Sequence, residues 1–521
     1  MGSLSDRVIS AANGIGVKVA DSDYAEFETL LERMDSALKM VAEMDDYQPT
    51  PDYEVIPRKD IHLQPKEENP LSAWAWRFTA ASSKPSSDLL KGRTLCLKDN
   101  ICVAGVPCLL GTETIQGWVP QTDATIVPRI LDAGGIITGK AVCENLSRGA
   151  VSVTAASGPV SNPYAKGYSA GGSSSGTGAL VGSGAVDMGI GCDQGGSIRI
   201  PAGLCGLYGF KATIGLVPYT GIVSNDASLD YVGPMTTTCM DNALLLEAIA
   251  GVDGLDDRQA AGTPFPNEVP HYAKLLEETK EQGVRGMKIG ILKEGVDQPL
   301  TNPDVKEKFM AALAEFEKLG ATVEEFSIPM HNQGRTIYSV MSKMGNHMGM
   351  LGRAVGRKQM LLTDLLEKKN APYTQAVFDK MSVMTKEGLL SGEYAWQRYP
   401  TVYAKSVNLC RKLKEEYDAA LAKYDLLVMP TTITASSPLP PVTGSPLVHI
   451  DASKGKLENT CSFNATGHPC LSMPIGLVPA PEDASIKLPA SMQIVGKYWD
   501  EPKIFQAAYA WEQSVGKWQN F

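Results

Sequence analysis

The sequence predicts an α/β protein: a largely internal mixed β-sheet with interleaved helices, preceded by a helical N-terminal region. From Thr94 onward, short β-rich runs alternate with patterns of helical period, which is the signature of an α/β domain. The first 80 or so residues have a different texture, with one amphipathic helix and a proline- and charge-rich connector. A glycine- and serine-rich stretch at 167–221 interrupts the alternation with backbone that has almost no bulky polar groups.

In chain order, Phe27, Leu30, Leu31, Met34, Leu38, Val41 and Met44 recur at three- and four-residue steps. They form one face of a helix spanning Asp23 to Met44, with Ser22 or Asp23 as N-cap. The connector DDYQPTPDYEVIPRKDIHLQPKEENP follows. The predicted strands are Thr94–Lys98, Gly135–Thr138, Ala185–Gly191, Lys288–Leu292, Asp425–Met429, Cys470–Pro474 and Ser491–Val495. The predicted helices include Ala124–Ala133, Val305–Leu319, Val402–Lys423 and Pro502–Ser514. These divide the chain into an N-terminal helical region at 1–80 and an α/β domain at 81–521. A helical insertion is expected at roughly 300–425, and its methionine-rich part from 330 to 400 would cover the site.

Composition narrows the function. The 521 residues leave room for about two to four domain-sized units. Hydrophobic residues make up 43% and charged residues 20%, ordinary values for a globular protein. A formal net charge of -10 argues against nucleic acid as a partner. No window approaches the roughly 18 apolar residues of a membrane span, and the first residues lack the apolar core of a secretion signal. Asp6 stands where a myristoylation motif wants Ser or Thr. Ten scattered cysteines without a CxxC pair read as small buried hydrophobes in a reducing compartment, so the cytoplasm is the expected location.

Three motifs near the glycine-rich stretch compete for attention. Gly167-Tyr168-Ser169-Ala170-Gly171 matches a GxSxG nucleophile elbow, but a turn-like VSNPYAK precedes it instead of a strand. Its histidine partner would have to be His271, His331, His347, His449 or His468. Gly176-Thr177-Gly178 with Gly182 has the wrong spacing for a dinucleotide fingerprint. Gly134 to Lys140 fits GxxxxGK, but Ala141 replaces the magnesium-binding Ser or Thr.

The lines GGSSSGTGALVGSG, CDQGGSIRIPAGLCGLYGFKAT and LKDNICVAGVPCLLGT resemble the amidase signature family. YDLLVMPTT, FNATGHPCLSMPIG and ASMQIVGKYWDEPKIFQAAYAWEQ extend the likeness from about Gly92 to Gln513. The resemblance implies a mixed central sheet covered by helices on both faces, and a Ser-cisSer-Lys triad. It makes Ser197 the acylated nucleophile, Ser173 the bridging serine after a cis peptide bond, and Lys98 the general base. The backbone N–H groups of Gln194, Gly195, Gly196 and Ser197 become the oxyanion hole. Gln194 replaces a more frequent threonine-like residue and Ser175 replaces a glycine. The first change and the N-terminal extension are similar to amidases of nitrile and amide metabolism, whose members pair through that extension. The N-terminal helical face would pack on the core or, as this likeness implies, on a second subunit in a homodimer.

The residue types suit the chemistry. A serine hydroxyl needs a base to take its proton, and a lysine can be that base only when its amine is neutral, which burial favours. The run LCLK is apolar up to Lys98. Asp99 should point to the opposite face of the strand and leave the amine alone. Asp193 and Arg199 are expected to fix the loop and do no chemistry. Cys192 lacks an activating base.

The expected reaction is hydrolysis of a carboxamide to an acid and ammonia or an amine, with a small-molecule amide as partner and no metal or cofactor. Acyl transfer or ester hydrolysis by the same triad is the alternative, and a component of a tRNA amidotransferase is a third reading. Leu146, Gly172 and Leu229 are the candidate substrate-binding residues.

Overall fold

The computed structural model describes residues 4–353 and 355–521. The chain divides into two compact units, Met1–Pro49 and Thr50–Phe521. In the first, helices Leu4–Gly14 and Tyr24–Ala42 pack on one another, with an Arg7–Asp35 ion pair at 3.4 Å. Asp23 is the N-cap of the longer helix, though its side chain makes no capping bond. That helix buries none of its residues, and Phe27, Leu30, Met34, Leu38 and Val41 are exposed.

The second unit is organised on one twelve-stranded sheet. Its strands are β1 (Arg58–Leu63), β2 (Trp74–Ala80), β3 (Thr94–Lys98), β4 (Ile136–Ala141), β5 (Met188–Asp193) and β6 (Tyr208–Lys211). The rest are β7 (Tyr231–Thr236), β8 (Lys288–Leu292), β9 (Thr322–Phe326), β10 (Leu426–Pro430), β11 (Cys470–Pro479) and β12 (Lys487–Val495). The order across the sheet is β1-β2-β4-β3-β5-β7-β6-β11-β12-β10-β8-β9. β4, β3 and β5 run parallel, as do β10, β8 and β9, and the remaining neighbours are antiparallel. The sheet is therefore mixed. Every residue of β5, β7 and β10 is buried, as expected of strands with helices on both faces.

Two boundaries differ from those the sequence suggests. The compact units divide at Pro49, not near residue 80, because residues 58–80 carry β1 and β2 at one end of the sheet. β1 is a charged edge strand, RKDIHL, with little apolar alternation to announce it. The stretch 300–425 likewise includes β9, the opposite edge strand, with the sequence TVEEF. Helices His331–Met350, Thr363–Asn370, Gln375–Lys380, Val383–Arg398 and Val402–Leu421 make up most of that region.

The glycine-rich stretch is not a linker. Its helix Ser175–Gly182 lies almost entirely buried against β4 and β5. A Cβ at Gly176 would come within 2.4 Å of the Ala73 carbonyl oxygen and 2.5 Å of the Val142 nitrogen. Only glycine lets the helix approach that closely. Gly176→Ala should therefore lower unfolding stability by about 1–3 kcal/mol in urea titrations, the usual cost of overpacking a closed interior. Unchanged stability would mean that the helix can move away.

Candidate active site

β4, β3 and β5 are parallel neighbours, so their C-terminal ends open at the same edge of the sheet. Ligands of open α/β sheets bind at such an edge. β3 ends in Lys98, which is 1% exposed. Its Nζ lies 2.7 Å from Ser173 Oγ and 3.4 Å from the Cys192 carbonyl oxygen. Ser173 follows a cis peptide bond with Gly172, and its carbonyl accepts from the Glu144 N–H just beyond β4. Ser174 fastens the same turn to the end of β5: its hydroxyl donates to the Cys192 carbonyl at 3.1 Å and accepts from the Cys192 N–H at 3.2 Å.

No carboxylate among the described residues pairs with Lys98. Its neighbour Asp99 turns away to Lys140 of β4, Oδ1 to Nζ at 3.1 Å, and Asp99 Oδ2 accepts from the Leu110 N–H. The Asp99 carboxylate raises the Lys140 amine, so Lys140 stays protonated as the counter-ion. This buried pair also accounts for the GxxxxGK near-match: its lysine is inside a strand and unable to reach a phosphate. Glu144, which interacts electrostatically with Lys98, is fully buried and pushed up to about 7 by desolvation, although Thr154 donates to it at 2.8 Å.

Ser197 lies just past β5, in the short loop before helix Arg199–Leu204. The loop is built around the Asp193 carboxylate. It accepts from the N–H groups of Gly196 at 2.6 Å and Ile198 at 3.1 Å, and from Arg199 Nε and Nη2, both at 3.0 Å. Arg199 reaches onward to the Thr460 carbonyl, Gln493 and Asn464 at 2.7–2.9 Å. The guanidinium holds the Asp193 carboxyl down at about 2 despite complete burial. Both residues thus hold the loop in place, as their positions beside Ser197 suggest.

Gly196 takes φ +135, and a Cβ there would meet Thr460 Oγ1 at 2.4 Å. Its N–H was expected among the oxyanion donors, but it is already engaged by Asp193. Among the described residues, nothing accepts from the N–H groups of Gln194, Gly195 or Ser197. The Gln194 side chain donates to Asp230, a carboxyl that burial pushes up to about 7.

Ser197, Gly172, Gln194 and Gly195 line one cavity of about 210 Å³. Helices His331–Met350 and Val383–Arg398 add Tyr338 and Met384 to its wall. Leu146 and Leu229 lie elsewhere. Leu146 packs with Cys102, Leu110 and Trp118, and Leu229 packs behind Tyr338 with Ile337 and Met341. Arg148 and Tyr338 stand in the wall instead, and nothing in the local sequence marked them. Ser169 and Cys192 do not line this cavity. Ser169 is buried away from the cavity, burial pushes the Cys192 thiol up to about 11, and no histidine lines the wall.

The family described as Amidase matches residues 69–505. The chain belongs to the amidase family. An enantioselective amidase from Rhodococcus rhodochrous is 36% identical over 462 residues, covering 87% of this chain and 84% of that protein. A glutamyl-tRNA(Gln) amidotransferase component from Methanosarcina acetivorans is 31% identical over 428 residues, covering 82% and 85%. The structure of a peptide amidase from Stenotrophomonas maltophilia superposes with a TM-score of 0.67 at 29% identity, covering 82% and 83% of the two chains. The amidase is thus an amide hydrolase by family. Among the described residues, no helix is long and apolar enough to cross a membrane.

Removing one member of a buried, hydrogen-bonded ion pair leaves the other charge uncompensated, at a cost of about 3–5 kcal/mol. Asp193→Asn in this amidase should lose about that much stability at pH 7. The carboxyl of Asp193 is depressed in the folded state, so its contribution is complete above the unfolded value of about 3.9 and fades as pH falls toward about 2. The gap between wild type and Asp193→Asn, measured by denaturant unfolding, should narrow over that window.

Proposed function

We propose that the amidase hydrolyses a carboxamide to a carboxylic acid and ammonia or an amine through an acyl-enzyme on Ser197. The observation that carries this reading is the 2.7 Å contact between Lys98 Nζ and Ser173 Oγ, in a pocket where Asp99 is committed to Lys140. Ser197 Oγ attacks the amide carbonyl while its proton passes to Ser173 Oγ, whose own proton passes to Lys98. The tetrahedral oxyanion is held by the N–H groups of Gln194, Gly195 and Ser197, each worth roughly 3 kcal/mol in comparable sites. The relay then runs backwards and protonates the departing nitrogen. Water, deprotonated through the same pair, attacks the ester carbonyl and frees Ser197.

The relatives named as amidases support an amide substrate. The amidotransferase relative supports a second reading, in which released ammonia passes to a partner protein. Hydrolysis of simple amides by the purified chain alone would count against that reading.

Ser197→Ala should abolish covalent labelling by a fluorophosphonate, followed by intact-mass spectrometry, and labelling that persists would remove Ser197 as the nucleophile. Lys98→Ala should cut amide turnover by about 10²–10⁴-fold, the range of general acid–base contributions, and slow ester turnover much less. An ester needs no proton delivered to its leaving group, so equal losses on the two substrates would count against the relay.

A further inference from the structure

Four charged side chains line the cavity beside Ser197: Arg148, Arg335, Lys343 and Glu387. Two of the cations are already matched, Arg335 by Glu458 and Lys343 by Glu387. Arg148 is not. No carboxylate among the described residues lies within ion-pair distance of it, and its buried Nε and Nη1 have no hydrogen-bond partner. Glu387, the acidic group whose field it feels most, also accepts from Ser391.

The position of Arg148 is built. It follows the turn Asn145–Ser147, in which Leu146 and Ser147 both take positive φ. The guanidinium rests against helix Val383–Arg398 at Gly388, where a Cβ would come within 2.1 Å of Nη2. Across the cavity, Asn346 Oδ1 also lacks a partner, while its Nδ2 donates to Ser342. Burial lowers the proton affinity of Arg148, yet a guanidinium remains charged at neutral pH. A guanidinium without a protein counter-ion in the wall of this cavity, its Nε and Nη1 enclosed and Nη2 left as the donor that is not, suits a carboxylate as partner.

We propose that Arg148 is a specificity-determining residue, and that the preferred substrates are amides bearing an ionised carboxylate. This rests on the acyl-enzyme reading above. The carboxylate can belong to the acyl group, as in a monoamide of a short dicarboxylic acid, or to the leaving amine, as in an N-acyl amino acid. Either would give Arg148 the counter-charge that the protein withholds, while the apolar walls at Ala150, Ile200 and Met384 receive the rest.

The test compares kcat/KM for succinamate and glutaramate with that for the corresponding neutral diamides, and for N-acetyl amino acids with that for their neutral N-acetyl alkylamine analogues. The wild type should favour the carboxylate in one of the two arms by about tenfold or more, mainly through KM. That arm also identifies which side of the scissile bond faces Arg148. In Arg148→Met the preference should collapse, and Arg148→Lys should recover part of it. Fluorophosphonate labelling of Ser197 in each variant reports an intact site. Equal kcat/KM for charged and neutral partners in both arms of the wild type overturns the proposal, as does a preference that survives in Arg148→Met. Failure of the acyl-enzyme reading looks different: neither charged nor neutral amides turn over and Ser197 is not labelled.

Discussion

The site depends on one buried ion pair. Asp193 and Arg199 are both inaccessible to solvent, and desolvating two charges is costly unless every donor and acceptor is satisfied. Here they are satisfied many times over. Asp193 gathers two backbone N–H groups, two guanidinium nitrogens and Asn464 Nδ2, and Arg199 adds the Thr460 carbonyl and Gln493. A loop of glycines has no side chains with which to hold itself, so its shape has to be imposed from outside. The carboxylate does so by ordering the backbone on either side of Ser197.

A second constraint is electrostatic segregation. Two lysines and two carboxyl groups occur close together at the ends of β3 and β4, and any of several pairings is conceivable from sequence. The strand alternation decides: Lys98 and Asp99 point to different sides, so Asp99 meets Lys140 and Lys98 meets Ser173. Glu144, pushed up to about 7 by burial, does not offer a full negative charge to the amine at neutral pH. The lysine that faces the serine is thus spared a strong counter-ion. The lysine that does not face it carries one.

The legible parts of the protein were those where chemistry is written contiguously. β3 and β8 have the bounds their apolar runs suggest, and Lys98, Ser173 and Ser197 fall within short, dense stretches. β1 and β9 were missed because edge strands are charged on their open faces, and β7 because Pro234 interrupts it. The engagement of the Gly196 N–H by Asp193, which folds back onto it, is a contact the sequence does not reveal. Substrate contacts were the least legible. The cavity wall joins residues near 148, 172, 197, 338, 384 and 450, and no local pattern reports a surface assembled from six segments. Leu146 is one residue from the wall, but the positive φ of the turn gives the cavity to Ser147 and Arg148.

The reach of Arg199 also has a temporal meaning. Its partners Thr460, Asn464 and Gln493 lie 261, 265 and 294 residues further along the chain. Chains emerge from the ribosome from the N-terminus at about 5–20 residues per second. Lys98, Ser173 and Ser197 would all be synthesised roughly fifteen seconds or more before the segment that locks their loop, at the faster of those rates. A nascent chain that ends before Gln493 carries Lys98, Ser173 and Ser197 but lacks part of the network that holds the loop. The loop therefore reaches its final shape only after Gln493 has been synthesised.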